Sequence, residues 1–194
     1  MTEDTPNVVV IPGPNGAGKS TSAERILRDT MKVATFVNAD TIARGLSGFE
    51  PDQAALAAGR IMLKQLRHLS DQRSSFAFET TLASRSFAPY LKSLVESGYE
   101  YHLVFLWLPS SEMAFQRVQQ RIREGGHSVP EETVHRRYTA GLRNFFELYQ
   151  PFATTWRIYD NSISPEPMLI ADGAEGDVNV PQPAIWQSLQ EFRK

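Results

Sequence analysis

The sequence predicts an α/β protein in which a parallel β-sheet carries helices on both faces. Short β-branched or aromatic runs alternate along the chain with stretches of helical periodicity, the pattern that places crossover helices between parallel strands. The apolar run Val8–Ile11 leads straight into Gly13-Pro14-Asn15-Gly16-Ala17-Gly18-Lys19-Ser20, and a helical pattern begins where that stretch ends. This octet matches G-x-x-x-x-G-K-[ST], a phosphate-binding loop in the strand-to-helix context that it requires. Glycines let successive N–H groups converge on one anion, and the following helix adds its positive N-terminal end. On this chemistry Gly13 to Thr21 bind a nucleotide, Lys19 reaches the β- and γ-phosphates, and the Ser20 hydroxyl ligates Mg²⁺.

The remaining elements follow in order. Thr21 to Met31 carries Ala23, Ile26, Leu27 and Met31 at helical spacing. Val33 to Val37 is a second strand, with Asn38-Ala39-Asp40 at its end, and Gly45 to Pro51 is a loop. Asp52 to Leu69 is a helix with Asp52 as N-cap and Leu56, Ile61, Leu63 and Leu66 for burial. Ser75 to Phe78 forms a third strand ending at Glu79-Thr80-Thr81. A helix over Phe87 to Ser97 is closed by Gly98, and Tyr101 to Leu108 is the strongest strand, stopped by Pro109. Ser111 caps a helix to Glu124 with Met113, Ala114, Val118 and Ile122 inward. Gly125 to Pro130 breaks it, and a second helix runs to about Tyr149. Thr155 to Tyr159 is a further strand before Asp160-Asn161-Ser162. Met168 to Ala171 and Val178 to Val180, separated by a turn-rich stretch, make a small hairpin, and Ala184 to Phe192 a terminal helix. Residues 1–194 are read as one domain, with a lid over about 111–150 and the hairpin and helix over about 165–194.

Composition narrows the function classes. With 194 residues the chain can bury one sizeable core, and 41% hydrophobic with 22% charged residues is ordinary for a globular protein. A net charge of −2 argues against a generally basic nucleic-acid binder. The absence of cysteine excludes disulfides, thiolate metal sites and cysteine nucleophiles. The polar start MTEDTPN does not read as a secretory signal and no apolar run approaches a membrane span, so a cytoplasmic location without membrane contact is expected.

What faces the γ-phosphate decides between an ATPase and a kinase. Asp40, at a strand end, suits a general base for a substrate hydroxyl; it equally suits a Mg²⁺ second-shell role or an N-cap for Thr41 to Arg44. Glu79 stands where a Walker B acid is expected, to hold a Mg²⁺-bound water, a substrate hydroxyl or simply a buried structural position. Six arginines lie between Arg117 and Arg143 against three glutamates, a basic helical hairpin that reads as a lid over the transferring phosphoryl group. Arg44 and Arg85, each beyond a strand end, are placed to bind anionic groups of the acceptor. His127 either contacts a phosphate or is merely exposed, and Asp160-Asn161-Ser162 stands where a base pocket would lie.

Taken in order, GPNGAGKST, Asn38 to Arg44, Phe78-Glu79-Thr80-Thr81 with Arg85, and Gly125 to Pro130 with Arg136-Arg137-Tyr138 resemble the zeta toxin family of P-loop kinases, especially its short bacterial chromosomal members. The resemblance spans roughly residues 7 to 162. It implies a nucleoside-kinase-like fold with a helical lid, use of ATP and Mg²⁺, and phosphorylation of a sugar hydroxyl of a nucleotide sugar, UDP-N-acetylglucosamine. It also implies Asp40 as acceptor base, and Glu79, Thr81 and Arg85 as acceptor-holding residues. Thr80, Arg44, His127, Arg136 and Arg137 join that acceptor side. Arg121 with a second lid arginine would stabilise the transferring group, and Arg117 and Asn161 fall with Arg121 on the nucleotide side. An antitoxin protein is the implied partner besides the small-molecule acceptor. The chain departs from the toxin pattern at Thr80, where the toxins have glycine, at His127, where they place a lid arginine, and in lacking the long C-terminal extension of some members. A kinase for an antibiotic or nucleoside, a nucleotide-binding switch, and an ABC-type ATPase suggested by Gly45-Leu46-Ser47-Gly48 are the rival readings.

Overall fold

The computed structural model describes residues 5–27, 33–47, 53–126, 128–163, 166–174 and 176–193. Among these, seven strands form one sheet in the order β2-β3-β1-β4-β5-β6-β7. The strands are β1 (Asn7–Pro12), β2 (Phe36–Val37), β3 (Phe76–Thr80), β4 (Glu100–Trp107), β5 (Thr155–Asp160), β6 (Met168–Ala174) and β7 (Asp177–Asn179). The helices are α1 (Lys19–Arg25), α2 (Ala39–Leu46), α3 (Ala55–Asp71), α4 (Phe87–Glu96), α5 (Ser111–Arg123), α6 (Glu131–Asn144) and α7 (Pro183–Gln190).

β1 lies between β3 and β4, parallel to both, which explains its unbroken apolar run: Val8, Val9, Val10 and Ile11 are fully buried. Parallel pairing extends through β2–β3 and β4–β5. The expectation of a parallel sheet is corrected at one edge, because β6 joins β5 antiparallel and β7 joins β6 antiparallel. The sheet is therefore mixed, and β6 and β7 extend it rather than standing apart as a small hairpin. Both run into the stretch read as turn, since Asp172, Gly173 and Ala174 pair across to β7. Gly173 belongs there because a Cβ would lie 2.6 Å from the Trp156 ring. Trp186 of α7 stacks on that same ring at 5.4 Å and Phe192 packs edge-on against Tyr138, so the C-terminal segment is bound into the core.

Several boundaries move for local reasons. α2 continues through Gly45 and Leu46, where the sequence predicts a loop, and residues 48–52, including the expected cap Asp52, lie outside the described residues. The residue preceding α3 is Ala54, without a side-chain cap. Three residues assigned to the core of that helix are exposed: Leu56 (71%), Ile61 (42%) and Leu63 (44%). Its buried face consists of Ala58, Met62, Leu66 and Leu69. Ser110 rather than Ser111 caps α5, its Oγ accepting from Met113 N at 3.1 Å.

The α5–α6 hairpin is part of the core. Ala114, Val118, Val134 and Leu142 are essentially inaccessible, and Tyr138 joins α6 to β4 by accepting from Trp107 Nε1 at 3.0 Å and donating to Leu108 O at 2.8 Å. After Asn144 the helix widens into a π-turn, Phe145–Tyr149.

Candidate active site

The site is built at the carboxyl ends of β1 and β3, where ligands gather in open α/β sheets. Gly13 N donates to Thr80 O at 3.2 Å, carrying the β1–β3 ladder into the phosphate loop. Two loop glycines have left-handed backbones, Gly16 at φ +79° and Gly18 at φ +75°. A Cβ on Gly16 would lie 2.7 Å from Ala114 O, so α5 packs on the loop only because the position is bare. Gly18 is the N-cap of α1, whose free N–H groups open towards the cleft.

Lys19 Nζ donates to Gly13 O and Pro14 O, both at 3.0 Å, and so bridges the loop it belongs to. Burial lowers the Lys19 pKa below the usual lysine range, against the opposing pull of Glu79 and Asp40. Ser20 Oγ donates to Glu79 Oε2 at 2.8 Å and accepts from Asn38 Nδ2 at 3.3 Å. The Ser20 hydroxyl and the Glu79 carboxylate thus meet beside the loop, two oxygen groups suited to Mg²⁺ and its waters, while Asn38 turns its Nδ2 to Ser20.

Asn38, not Asp40, caps α2: its Oδ1 accepts from Asp40 N at 2.7 Å and Thr41 N at 3.1 Å. The capping alternative for Asp40 is thereby removed. Its carboxylate borders two adjoining cavities of about 520 Å³ and 920 Å³, and Asn15, Lys19 and Glu79 border both as well. The smaller is rimmed by Gly16, Gly18, Ser20, Thr21, Arg44, Arg117, Arg121 and Gly126. The larger has an apolar wall of Leu56, Gly59, Met62 and Leu63 from α3 with Phe87, facing Arg136, Arg137 and Arg143 of α6, with Arg60 on the α3 side. Asn15 Oδ1 is buried without a hydrogen-bond partner among the described residues. Arg137 is the half-buried arginine of the set; desolvation and Arg136 lower its pKa while the Asp40 charge raises it, which puts guanidinium and carboxylate within electrostatic reach.

Other expected site residues fall elsewhere or act differently. Arg117 donates from Nη1 to Asn161 O at 2.9 Å and from Nη2 to Ser162 O at 2.7 Å, bracing the loop after β5. Asn161 is turned to the phosphate loop, its Nδ2 donating to Ala17 O at 2.6 Å, rather than presented to a base. Arg44 lies on the side of the smaller cavity, its Nε 3.4 Å from Asp40 O, and not among the residues lining the larger one. Arg85 is exposed and lines neither cavity. Thr80 and Thr81 border the larger cavity, but their hydroxyls accept from Leu82 N (3.1 Å) and Ala83 N (3.4 Å). His127 lies outside the described residues. The sequence reading missed Asn38, although Asn at a strand-to-helix junction is a favoured N-cap. It also missed Arg60 and the α3 leucines, which a helical-period count assigns to the core.

The strand order, the phosphate loop and the acids flanking it define a P-loop kinase fold. The family profile described as Zeta toxin matches residues 1–164, and the chain belongs to that family. An uncharacterized protein of Haemophilus influenzae is 29% identical over 126 residues, 65% of this chain and 88% of that protein. Among solved structures, AvrRxo1-ORF1 in complex with AvrRxo1-ORF2 superposes with a TM-score of 0.78 at 17% identity, covering 99% of this chain and 66% of that one. The toxin–antitoxin system PezAT of Streptococcus pneumoniae gives 0.67 at 16% identity, covering 99% and 80%. A gluconokinase from Sinorhizobium meliloti gives 0.53 at 15%, covering 83% and 86%. The chain thus spans slightly less than two thirds of the AvrRxo1-ORF1 length. Among the described residues no helix is long and apolar enough to cross a membrane.

Proposed function

We propose that this protein is an ATP-dependent kinase that transfers the γ-phosphoryl group to a hydroxyl of a small anionic acceptor, with a nucleotide sugar such as UDP-N-acetylglucosamine as first choice. The observation that carries the proposal is the position of Asp40, a carboxylate released from capping and standing where the two cavities meet. The smaller cavity holds ATP and the larger the acceptor. Fit to the nucleotide is supported by the two left-handed glycines and the open start of α1; fit to Mg²⁺ by the Ser20 hydroxyl and the Glu79 carboxylate. A structure of AvrRxo1-ORF1 with ORF2 contains ATP, which agrees with this assignment. Bound Mg-ATP supplies the phosphoryl group and part of the charge neutralisation.

The chain supplies the rest. Asp40 accepts the proton of the acceptor hydroxyl as its oxygen attacks. Lys19 leaves the loop carbonyls for the phosphates, and Arg121 meets the charge spread over the equatorial oxygens. Arg136, Arg137 and Arg143 bind acceptor phosphates, while Leu56, Leu63 and Phe87 offer an apolar surface to its base or sugar. An antitoxin that blocks this cleft fits the family and the PezAT likeness.

The test is incubation of the protein with Mg-ATP and UDP-N-acetylglucosamine, followed by mass spectrometry of the small molecules. A product heavier by one phosphoryl group is expected, and Asp40→Asn should lower its rate about 10²–10⁴-fold while ATP still binds. ADP without a phosphorylated sugar would reject this acceptor, and an unchanged rate in the variant would remove Asp40 as base.

A further inference from the structure

The turn after β3 forms part of the larger cavity through Thr80, Thr81, Ala83 and Ser84, and it is held in a shape its own sequence disfavours. Leu82 has φ +54°, left-handed backbone that crowds any residue bearing a Cβ. The Leu82 and Ala83 amides bond within the turn, to Thr80 Oγ1 and Thr81 Oγ1, but its carbonyls are taken from outside. Asn144 Nδ2 donates to Leu82 O at 2.7 Å and lies 3.4 Å from Ala83 O, and the Tyr149 hydroxyl donates to Ser84 O at 2.6 Å. Both side chains are buried, Asn144 at 2% exposure and Tyr149 at 0%.

Three features show that these donors are committed to the turn. Asn144 Oδ1 has no hydrogen-bond partner among the described residues, and rotating the amide would set that oxygen against two carbonyls. Burial pushes the Tyr149 hydroxyl up to about 12, so it remains a donor. The π-turn Phe145–Tyr149 aligns the pair: Gln150 N bonds to Phe145 O five residues back, whereas an α-helix would set residues 144 and 149 about 140° apart. One helical turn earlier, bare Gly141 lets the α6 backbone approach Thr81 O where a Cβ would collide.

We propose that Asn144 and Tyr149 are positioning residues for the acceptor, acting through the Thr80–Ser84 turn that they hold in its strained form. This rests on the larger cavity being the acceptor site. The clamp holds the carbonyls of Leu82, Ala83 and Ser84, while the phosphate loop meets this segment at Thr80 O, inside the β1–β3 ladder, so breaking the clamp loosens the cavity wall and leaves the ladder bond to Gly13 in place.

The experiment compares steady-state kinetics of the full chain with Asn144→Ala, Asn144→Asp and the gentler Tyr149→Phe. Loss of the Asn144 donor leaves two carbonyls short of a partner, so the acceptor KM should rise about tenfold in both Asn144 variants. It should rise less in Tyr149→Phe, with the KM for ATP unchanged in all three. An unchanged acceptor KM, a parallel rise in both KM values, or wild-type behaviour of Asn144→Asp would overturn the proposal. If the protein turns over ATP without phosphorylating any acceptor, the kinase reading is what fails, and amide hydrogen exchange then judges the clamp. Faster exchange over residues 80–86 in Tyr149→Phe at unchanged ATP affinity supports it, and unaltered exchange overturns it.

Discussion

Removing the Asn161 carboxamide should weaken ATP binding although, in the structure, that group faces a carbonyl and not the cleft. Asn161 Nδ2 holds Ala17 O at 2.6 Å, and Arg117 Nη1 in turn holds Asn161 O at 2.9 Å. A trans peptide is planar with its C=O and N–H opposed, so fixing the Ala17 carbonyl fixes the direction of the Gly18 N–H, one of the donors of the phosphate cradle. Asn161→Ala leaves that carbonyl in a partly buried place without its partner, worth about 1–3 kcal/mol, and frees the peptide to rotate. If half of this appears in the liganded state, ATP affinity falls about two- to tenfold. Calorimetric titration with a non-hydrolysable ATP analogue measures it, and circular dichroism confirms the fold. A folded variant that binds the analogue as tightly as wild type would refute the claim that this contact sets the cradle.

Two further perturbations test the frame. Gly16→Ala places a Cβ in left-handed backbone 2.7 Å from Ala114 O and 2.9 Å from Arg117 Cβ. The backbone cost alone is about 1–2 kcal/mol, so thermal denaturation should move down by roughly 2–8 °C; an unshifted midpoint would show that the α5 contact is slack. His102 is buried with Nε2 2.7 Å from Asn7 Oδ1 and Nδ1 2.8 Å from Thr155 Oγ1. Burial, aided by Arg157 and opposed by Glu100 at 3.6 Å, holds its pKa below the ordinary 6.5. The unfolded chain therefore takes up the proton first, and the contribution of His102, complete above pH 6.5, is lost as the pH falls below it. Melting midpoints at pH 7.5 and 5.5 should fall more for wild type than for His102→Gln, and equal falls would contradict the assignment.

The strands and the phosphate loop were legible because both are written locally. A run such as Val8 to Ile11 has one use, burial on two faces, and G-x-x-x-x-G-K-[ST] fixes its own conformation. Polarity along β6 and β7 was not legible, because antiparallel pairing at an edge depends on what β5 leaves open, and the stretch from Asp172 to Asp177 carries turn-forming residues throughout. The α3 leucines misled for a related reason. Period alone cannot tell a wall of the core from a wall of a cavity, and Leu56 and Leu63 belong to the second. In the site, Lys19, Ser20 and the position of Glu79 were readable from chain order. The roles of Arg117 and Asn161 were not, since both are spent on backbone carbonyls distant in sequence. Nothing local marks Asn144, whose partners lie 61 and 62 residues away.

That last group explains how a basic helix beside a phosphate site can serve without swinging shut over it. As a free-moving lid, α6 would have to give up the Trp107–Tyr138–Leu108 bridge, the approach of Gly141 to Thr81 and the Asn144 bond to Leu82 O. Each of these is buried, and breaking them together would leave polar groups unpaired in an apolar surrounding. The arginines of α6 are thus delivered to the cavity by folding itself, which on the proposed assignment presents them to acceptor phosphates without a closing motion. At the other end of the hairpin, where α5 ends, Gly125 has φ +87° and open space where a Cβ would sit, whereas Gly126 is packed against Arg121. On the proposed assignment, selectivity for the acceptor resides in the half of the site that the buried contacts of α6 hold in place.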